Sequence, residues 1–311
     1  MQHRSAVDAN PSIGPESRAF VERASGLRGA RFASRRRMVG GISSFVDRVT
    51  VVDAAGTRAD FVLRRWDPEV DGATDAVDRE ARALEALARI EEVPSPRLVA
   101  ASAGPGTDGV PSLLMTRLPG RVHLARAGLA DRITKMATAL VDVHHAAIEA
   151  DPVARPRVPD PADEPSWTCD DGVRRAAFDL VADPPPRVRP VFVHGDFHHF
   201  NLLWTGERLS GIVDWVAPGT GAADIDVGHC RLNLAVLYGP DEAERFLDVY
   251  EAVAGRRVEP WWDVYRILRA YGADDWYDFI PIQIGGRVPV DVEGMDARVE
   301  EHLRRAVERA T

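Results

Sequence analysis

The sequence predicts an α+β protein of two lobes, a small antiparallel sheet with one helix followed by a larger, mainly helical part. Three observations carry this expectation. The chain of 311 residues exceeds what one hydrophobic core usually fills, about 250–300 residues. Short β-branched and aromatic runs crowd the first third, whereas apolar residues at helical spacing dominate the rest. Pro119-Gly120 then breaks the strand pattern where the two regimes meet. The expected division is 1–34 as an N-terminal tail and short helix, 35–120 as the sheet-bearing lobe, and 121–311 as the helical lobe.

In chain order, Glu16 to Leu27 reads as a short helix. Arg35 to Val39, Phe45 to Val52 and Arg58 to Arg64 read as three antiparallel strands, separated by Gly40-Gly41-Ile42-Ser43-Ser44 and Asp53-Ala54-Ala55-Gly56. Thr74 to Ile90 is a helix by its spacing of Val77, Ala81, Leu84 and Leu87, with acidic residues early in the run. Strands at Arg97 to Ala101 and Ser112 to Leu118 complete the small sheet. Beyond Gly120, Leu129 to Ile148 carries Ile133, Met136, Leu140 and Val143 on one helical face, and a proline-rich loop follows. Helical runs return at Val173 to Val181, Asp241 to Ala254, Trp261 to Tyr271 and Glu293 to Ala310. Between them Val191 to Trp215 reads as two short strand-like pieces around a polar loop, and no internal repeat is visible.

Composition excludes several function classes. No stretch approaches the roughly 18 apolar residues of a membrane helix, and Met1 to Gly14 lacks the apolar core of a signal peptide. The expectation is a cytoplasmic protein with no membrane partner. Two cysteines, Cys169 and Cys230, are too few for a disulfide framework. From Val191 to Thr311 there are 21 acidic residues against 12 Arg, an excess that accounts for the whole formal charge of −9. A nucleic-acid binder should carry a basic face, so no nucleic-acid partner is expected. Lys135 is the only lysine in the chain.

The chemistry concentrates in His194-Gly195-Asp196-Phe197-His198-His199-Phe200-Asn201, a spacing of H-x-D-x-x-x-x-N, with Asp214 thirteen residues after Asn201. Given nine His, thirty Asp and three Asn, this spacing should arise by chance about 0.01 times in such a chain. Phosphoryl transfer needs an acceptor hydroxyl held in place and phosphate charge neutralised. Asp196 would accept the hydroxyl proton. Asn201 and Asp214 offer the hard oxygen atoms that Mg²⁺ prefers. The bland alternative is a surface loop with an Asx-turn at Asp196. His194 fits packing and loop orientation better than acid–base work, and a zinc site from His194, His198 and His199 lacks a matching further ligand in the sequence.

With these residues in view, the chain resembles the aminoglycoside phosphotransferase family, the small-molecule branch of the protein-kinase-like fold, over roughly Met38 to Tyr271. The resemblance implies a five-stranded nucleotide-binding lobe with one helix and a helical lobe that holds the catalytic loop and acceptor pocket. It implies Asp196 as catalytic base, Asn201 and Asp214 as Mg²⁺ ligands, and ATP or GTP as co-substrate. It places Ser43 and Ser44 in the loop over the phosphates, and the backbone of Thr116 and Leu118 against the purine edge.

The chain also departs from the family pattern. The phosphate loop is not G-x-G-x-x-G, and a plain hairpin turn serves equally well there. The metal aspartate stands in Asp214-Trp215-Val216. The strand lysine is replaced by Arg64, whose planar fork changes the geometry of any phosphate grip. Glu80 is the helix residue expected to orient Arg64, the alternative being two ordinary surface residues. The resemblance implies a small-molecule acceptor, first an aminoglycoside-like, cationic and polyhydroxylated compound. Asp274, Asp275 and Asp278 among aromatics would form its pocket, unless they cap or solvate a helix end. The same fold serves kinases of choline-like alcohols, homoserine, sugars and macrolides, and a pseudokinase is a further class.

Overall fold

The computed structural model describes residues 12–38, 44–154, 156–158, 170–271, 284, 288 and 291–310. The chain divides into two compact units, Met1–Pro119 and Gly120–Thr311.

The first unit is an antiparallel sheet whose strands are β1 (Arg31–Arg37), β2 (Phe45–Val52), β3 (Arg58–Arg65), β4 (Leu98–Ser102) and β5 (Ser112–Thr116). Its spatial order is β1-β2-β3-β5-β4. Helix α1 (Pro15–Ala24) precedes it, and α2 (Ala73–Leu87) separates β3 from β4. β2 turns Phe45, Val49 and Val51 inward, and Val49, Val51, Leu63 and Leu114 pack with Ile13 and Val21 of the N-terminal segment. Asp108 fixes that segment by accepting the Glu16 and Ser17 N–H groups at 3.2 and 2.9 Å, capping α1 from a distant loop.

β1 begins at Arg31, earlier than the expected Arg35, because its register with β2 runs from Arg31↔Val52 to Arg37↔Asp47. Its residues are mostly exposed, so no alternation of apolar side chains marks it, and its four arginines suit an unpaired sheet edge.

A polar residue also enters this core. Asp47 is fully buried and accepts from Arg65 Nη2 at 3.0 Å and from Arg35 Nε at 3.0 Å. Burial pushes the Arg65 guanidinium down from its usual pKa, and the bond and charge of Asp47 oppose that shift.

The second unit is helical around a small β substructure. Its helices are α3 (Leu129–His145), α4 (Asp171–Ala182), α5 (Asp224–Tyr238), α6 (Pro240–Ala254), α7 (Pro260–Tyr271) and α8 (Met295–Ala310). Between α4 and α5 lie β6 (Val191–Val193), β7 (Leu202–Thr205), β8 (Arg208–Ile212) and β9 (Gly219–Gly221), paired as β6-β9 and β7-β8. Helix α5, which the apolar spacing did not mark, is the centre of this unit and packs on α6, α7 and α8. Asp224, Asp226, Cys230, Arg231, Leu234 and Val236 are buried around its whole circumference, so no amphipathic period exists to read. Gly228 admits the close approach of α7, since a Cβ there would lie 2.9 Å from the Trp262 carbonyl oxygen. No helix among the described residues is long and apolar enough to cross a membrane.

Replacing Asp47 with Ala leaves Arg65 buried without its carboxylate. A loss of about 3–5 kcal/mol is expected, read as a lower urea midpoint, and joint replacement by Asp47→Leu and Arg65→Met should recover most of it. An unchanged midpoint in the single variant would refute the pair as a stability determinant.

Candidate active site

The loop that follows β6 takes its shape from two constraints. Gly195 has φ +80, a conformation that side chains disfavour, and a Cβ there would sit 2.0 Å from the Ala217 carbonyl oxygen. The His194 and Gly195 N–H groups both donate to the Asp226 carboxylate, at 2.7 and 2.8 Å. Asp226 lies in the first turn of α5 and also faces His144 Nε2 at 3.3 Å, whose Nδ1 is 2.7 Å from the Tyr250 hydroxyl. Burial opposes its charge, but the hydrogen bond and charge of His144, with those of His194, hold the carboxyl below its ordinary pKa. Asp226 therefore serves as a fixed anion that receives two backbone amides.

His194 is buried and completes the support. Its Nε2 donates to the Val213 carbonyl at 3.1 Å, its Nδ1 accepts the Asp196 N–H at 3.2 Å, and its ring lies against Trp215 at 4.3 Å. It spends both nitrogens on the loop, which is the orienting arrangement expected of it. Trp215 Nε1 donates to the Ile212 carbonyl at 3.0 Å, tying this packing to the end of β8.

A short 3₁₀ turn, His199–Asn201, then brings Asn201 back beside Asp196. Asn201 Nδ2 donates to the Asp196 carbonyl at 2.9 Å and to Asp196 Oδ2 at 3.1 Å. With the amide nitrogen so committed, Asn201 Oδ1 accepts no hydrogen bond among the described residues and is presented as a bare carbonyl oxygen. The Val213 N–H donates to the Asn201 carbonyl at 2.9 Å, so Asp214 follows directly after a residue pinned to Asn201. Asp214 is half-buried and has φ 70, a left-handed conformation uncommon outside glycine. One amide oxygen with no donor on it and a neighbouring carboxylate fit the donor set of Mg²⁺.

Asp196 is the most heavily contacted carboxylate of the loop. His229 Nε2 is 2.8 Å from its Oδ1 and His198 Nε2 is 3.5 Å from its Oδ2. Burial alone would raise its pKa, but His198, then His229, beside it hold it well below the usual carboxylate range. The group is an anion at neutral pH. His229 stands on α5, and His199 is buried with neither ring nitrogen hydrogen-bonded among the described residues.

Sequence reasoning missed Asp226, His229 and His144. The readable signal was the pair Asp224 and Asp226 closely before an apolar run that ends at Gly239-Pro240, the start and stop of a helix.

In the first unit, Arg64 of β3 and Glu80 of α2 are 4% and 1% exposed, so the surface alternative fails. Arg64 Nη1 donates to Glu80 Oε1 and Oε2 at 3.3 and 3.2 Å, its Nε donates to Ser44 Oγ at 2.7 Å, and its head lies 5.0 Å from the Trp66 ring. The Thr116 N–H is engaged by the Arg97 carbonyl at 2.9 Å within the sheet, and Leu118 lies two residues past the end of β5. Ser43, Asp274, Asp275 and Asp278 lie outside the described residues.

Comparison with known proteins matches residues 41–269 to the sequence profile of the phosphotransferase enzyme family. No curated protein matches the chain by sequence. A solved structure from Ralstonia eutropha JMP134, assigned to the aminoglycoside phosphotransferases, is similar with a TM-score of 0.63 at 18% identity, covering 95% of this chain and 97% of that one. A mutant of aminoglycoside phosphotransferase APH(4)-Ia, in ternary complex with ADP and hygromycin B, aligns with a TM-score of 0.57 at 14% identity over 93% of this chain and 97% of that chain. Amicoumacin kinase hAmiN, in complex with AMP-PNP, Ca²⁺ and Ami, aligns with a TM-score of 0.55 at 12% identity over the full length of both chains. These likenesses establish a kinase-like fold.

Asp226→Ala strips the acceptor from the buried His194 amide and the half-buried Gly195 amide, at roughly 1–3 kcal/mol for the buried donor left unsatisfied and less for the other. Both the thermal midpoint and kcat should fall, because the segment bearing Asp196 loses its anchor. A variant with wild-type stability and turnover would remove Asp226 from the support of the loop.

Proposed function

The chain belongs to the phosphotransferase enzyme family, and from that premise we propose that it moves the γ-phosphate of ATP or GTP to a hydroxyl of a small molecule, an aminoglycoside-like compound first. The observation that carries this reading is the joint orientation of Asp196 and Asn201. The Asn201 amide nitrogen is bonded to Asp196 and its oxygen is turned away from that carboxylate.

In the proposed reaction an acceptor hydroxyl oxygen bonds to the γ-phosphorus, the bond to the bridging oxygen breaks, and the nucleoside diphosphate leaves. Asp196 takes the hydroxyl proton. The carboxylate suits that work because it is ionised and its orientation is fixed by donors from Asn201 and His229. Asn201 Oδ1 and Asp214 would hold Mg²⁺, which supplies charge neutralisation on the phosphates. Arg64 would grip phosphate oxygens and Glu80 would orient it. A buried ion pair contributes little to stability on balance, so its presence at this position of β3 and α2 is in keeping with a functional charge. Ser44 keeps the guanidinium aimed, and Ser43 is its neighbour in the proposed phosphate loop. Thr116 and Leu118 remain the proposed contacts for the purine, through groups other than the Thr116 N–H. Asp274, Asp275 and Asp278 remain the proposed cation-attracting acceptor residues.

The acceptor class draws support from relatives that bind hygromycin B and amicoumacin. Release of ADP, measured across aminoglycosides, macrolides, choline-like alcohols, homoserine and simple sugars, tests it. Efficient turnover of neutral acceptors with none of cationic ones overturns the aminoglycoside reading and leaves the kinase standing. Nucleotide binding without release from any acceptor indicates a pseudokinase.

Asp196→Asn should lower kcat by ~10²–10⁴ with nucleotide affinity retained. Near-normal turnover would dismiss the base assignment. Asp214→Ala should weaken the Mg²⁺ dependence of turnover more than Asn201→Ala does, because the carboxylate carries the charge. Equal Mg²⁺ titration curves in the wild type and Asp214→Ala would count against the metal site.

A further inference from the structure

We infer that His229 and Arg266 are positioning residues that set the orientation of Asp196 by fixing the tautomer of the His229 ring. The inference rests on Asp196 being the base. Arg266 of α7 donates through Nη2 to His229 Nδ1. A guanidinium is always protonated and has donors only, so His229 Nδ1 must present its lone pair. Burial, then the charge of Arg266, lowers the His229 pKa to about 4, and the ring is neutral near pH 7. Its single proton therefore sits on Nε2, 2.8 Å from Asp196 Oδ1, while Asn233 Nδ2, 3.4 Å from that nitrogen, donates to the His229 carbonyl at 3.0 Å.

His198 flanks the carboxylate from the other side: its Nδ1 accepts the Phe200 N–H at 3.3 Å, and its Nε2 lies 3.5 Å from Asp196 Oδ2 and 3.2 Å from Asn201 Nδ2. Asn201 Nδ2 adds a donor to the same oxygen at 3.1 Å. One carboxylate is thus held between His229 on Oδ1 and the Asn201 amide on Oδ2, with His198 beside the latter, and rotating it loses a contact on one side.

Asp196, His198 and His229 also form a group that could hold a metal ion, with one ligand atom from each lying within 4.8 Å of the others. The surroundings argue against that use. A metal-bound histidine carries its proton on the nitrogen away from the metal and gives it to an acceptor. Here both distant nitrogens face donors, the Phe200 N–H and the Arg266 guanidinium. The Arg266 guanidinium on Nδ1 puts the His229 proton on the Asp196 side of its ring, so the cluster is built as a clamp on that carboxylate.

The test begins with the unmodified protein. Two-bond ¹H–¹⁵N NMR of the histidine rings should show His229 protonated at Nε2, and Arg266→Met should mix the two tautomers. Kinetics then follow ADP release with hygromycin B and, as a background acceptor, water. His229→Ala should lower kcat by up to roughly 10²-fold while nucleotide KM stays within about twofold, the pattern of a misaligned base. His229→Gln, which offers an amide N–H at similar reach, should restore most of the loss. Protonation of His229 at Nδ1 overturns the inference, as does full kcat in His229→Ala or a Gln variant as impaired as Ala. Binding of Zn²⁺ alone that is strong in the wild type and lost in His229→Ala also overturns it, since that requires the lone pairs to face Asp196. If no acceptor is turned over, the phosphotransfer reading fails and the tautomer measurement still decides whether the clamp exists.

Discussion

The loop from His194 to Asn201 depends on one buried anion. Asp226 receives the N–H groups of His194 and Gly195, and the conformation it stabilises is one that only glycine accepts easily at position 195. Remove that carboxylate and two amides, one buried and one half-buried, lose their partner. Everything downstream follows from this arrangement. The amides fix where Asp196 leaves the strand, Asp196 fixes which way the Asn201 amide turns, and the Asn201 carbonyl receives the residue before Asp214. His144 and Tyr250 extend the support into α3 and α6, so the loop is braced by helices far from it in sequence.

How much of this was legible beforehand differs by element. The residues of the loop were legible because their spacing is strict and short, and β2 and β3 because they are short runs rich in β-branched and aromatic residues between turn signals. The pairing of Arg64 with Glu80 was an expectation from resemblance, and the structure shows both buried and bonded. Helix α5 was illegible for a physical reason. Periodicity reports a contrast between a wet and a dry face, and α5 has almost no wet face. Its buried Asp226 and Arg231 look like surface residues in a sequence, and their partners lie too distant to be inferred from spacing. The edge strand β1 hid in the opposite way, since arginines there cover a half-exposed surface.

The replacement of lysine by Arg64 is coherent with its surroundings. An ammonium is a compact charge, whereas the guanidinium fork must be held in a plane. Glu80 takes one nitrogen, Ser44 takes Nε, and Trp66 lies beside the head, so three neighbours define its orientation. A chain with Lys135 as its sole lysine has met the demand for cation with arginine throughout, and here the neighbours match the shape of that choice.

Asp226 and His229 stand three residues apart on α5 and so share one face of the helix. That face is tied at one point to the backbone of His194 and Gly195 and at the other to the carboxylate of Asp196. The helix consequently behaves as a ruler between scaffold and chemistry: a slide of one turn, about 5.4 Å, would break both ties together. A substitution that shifts this helix along its axis would therefore disturb the loop backbone and the Asp196 carboxylate in one event, whereas one that leaves its position unchanged would spare both.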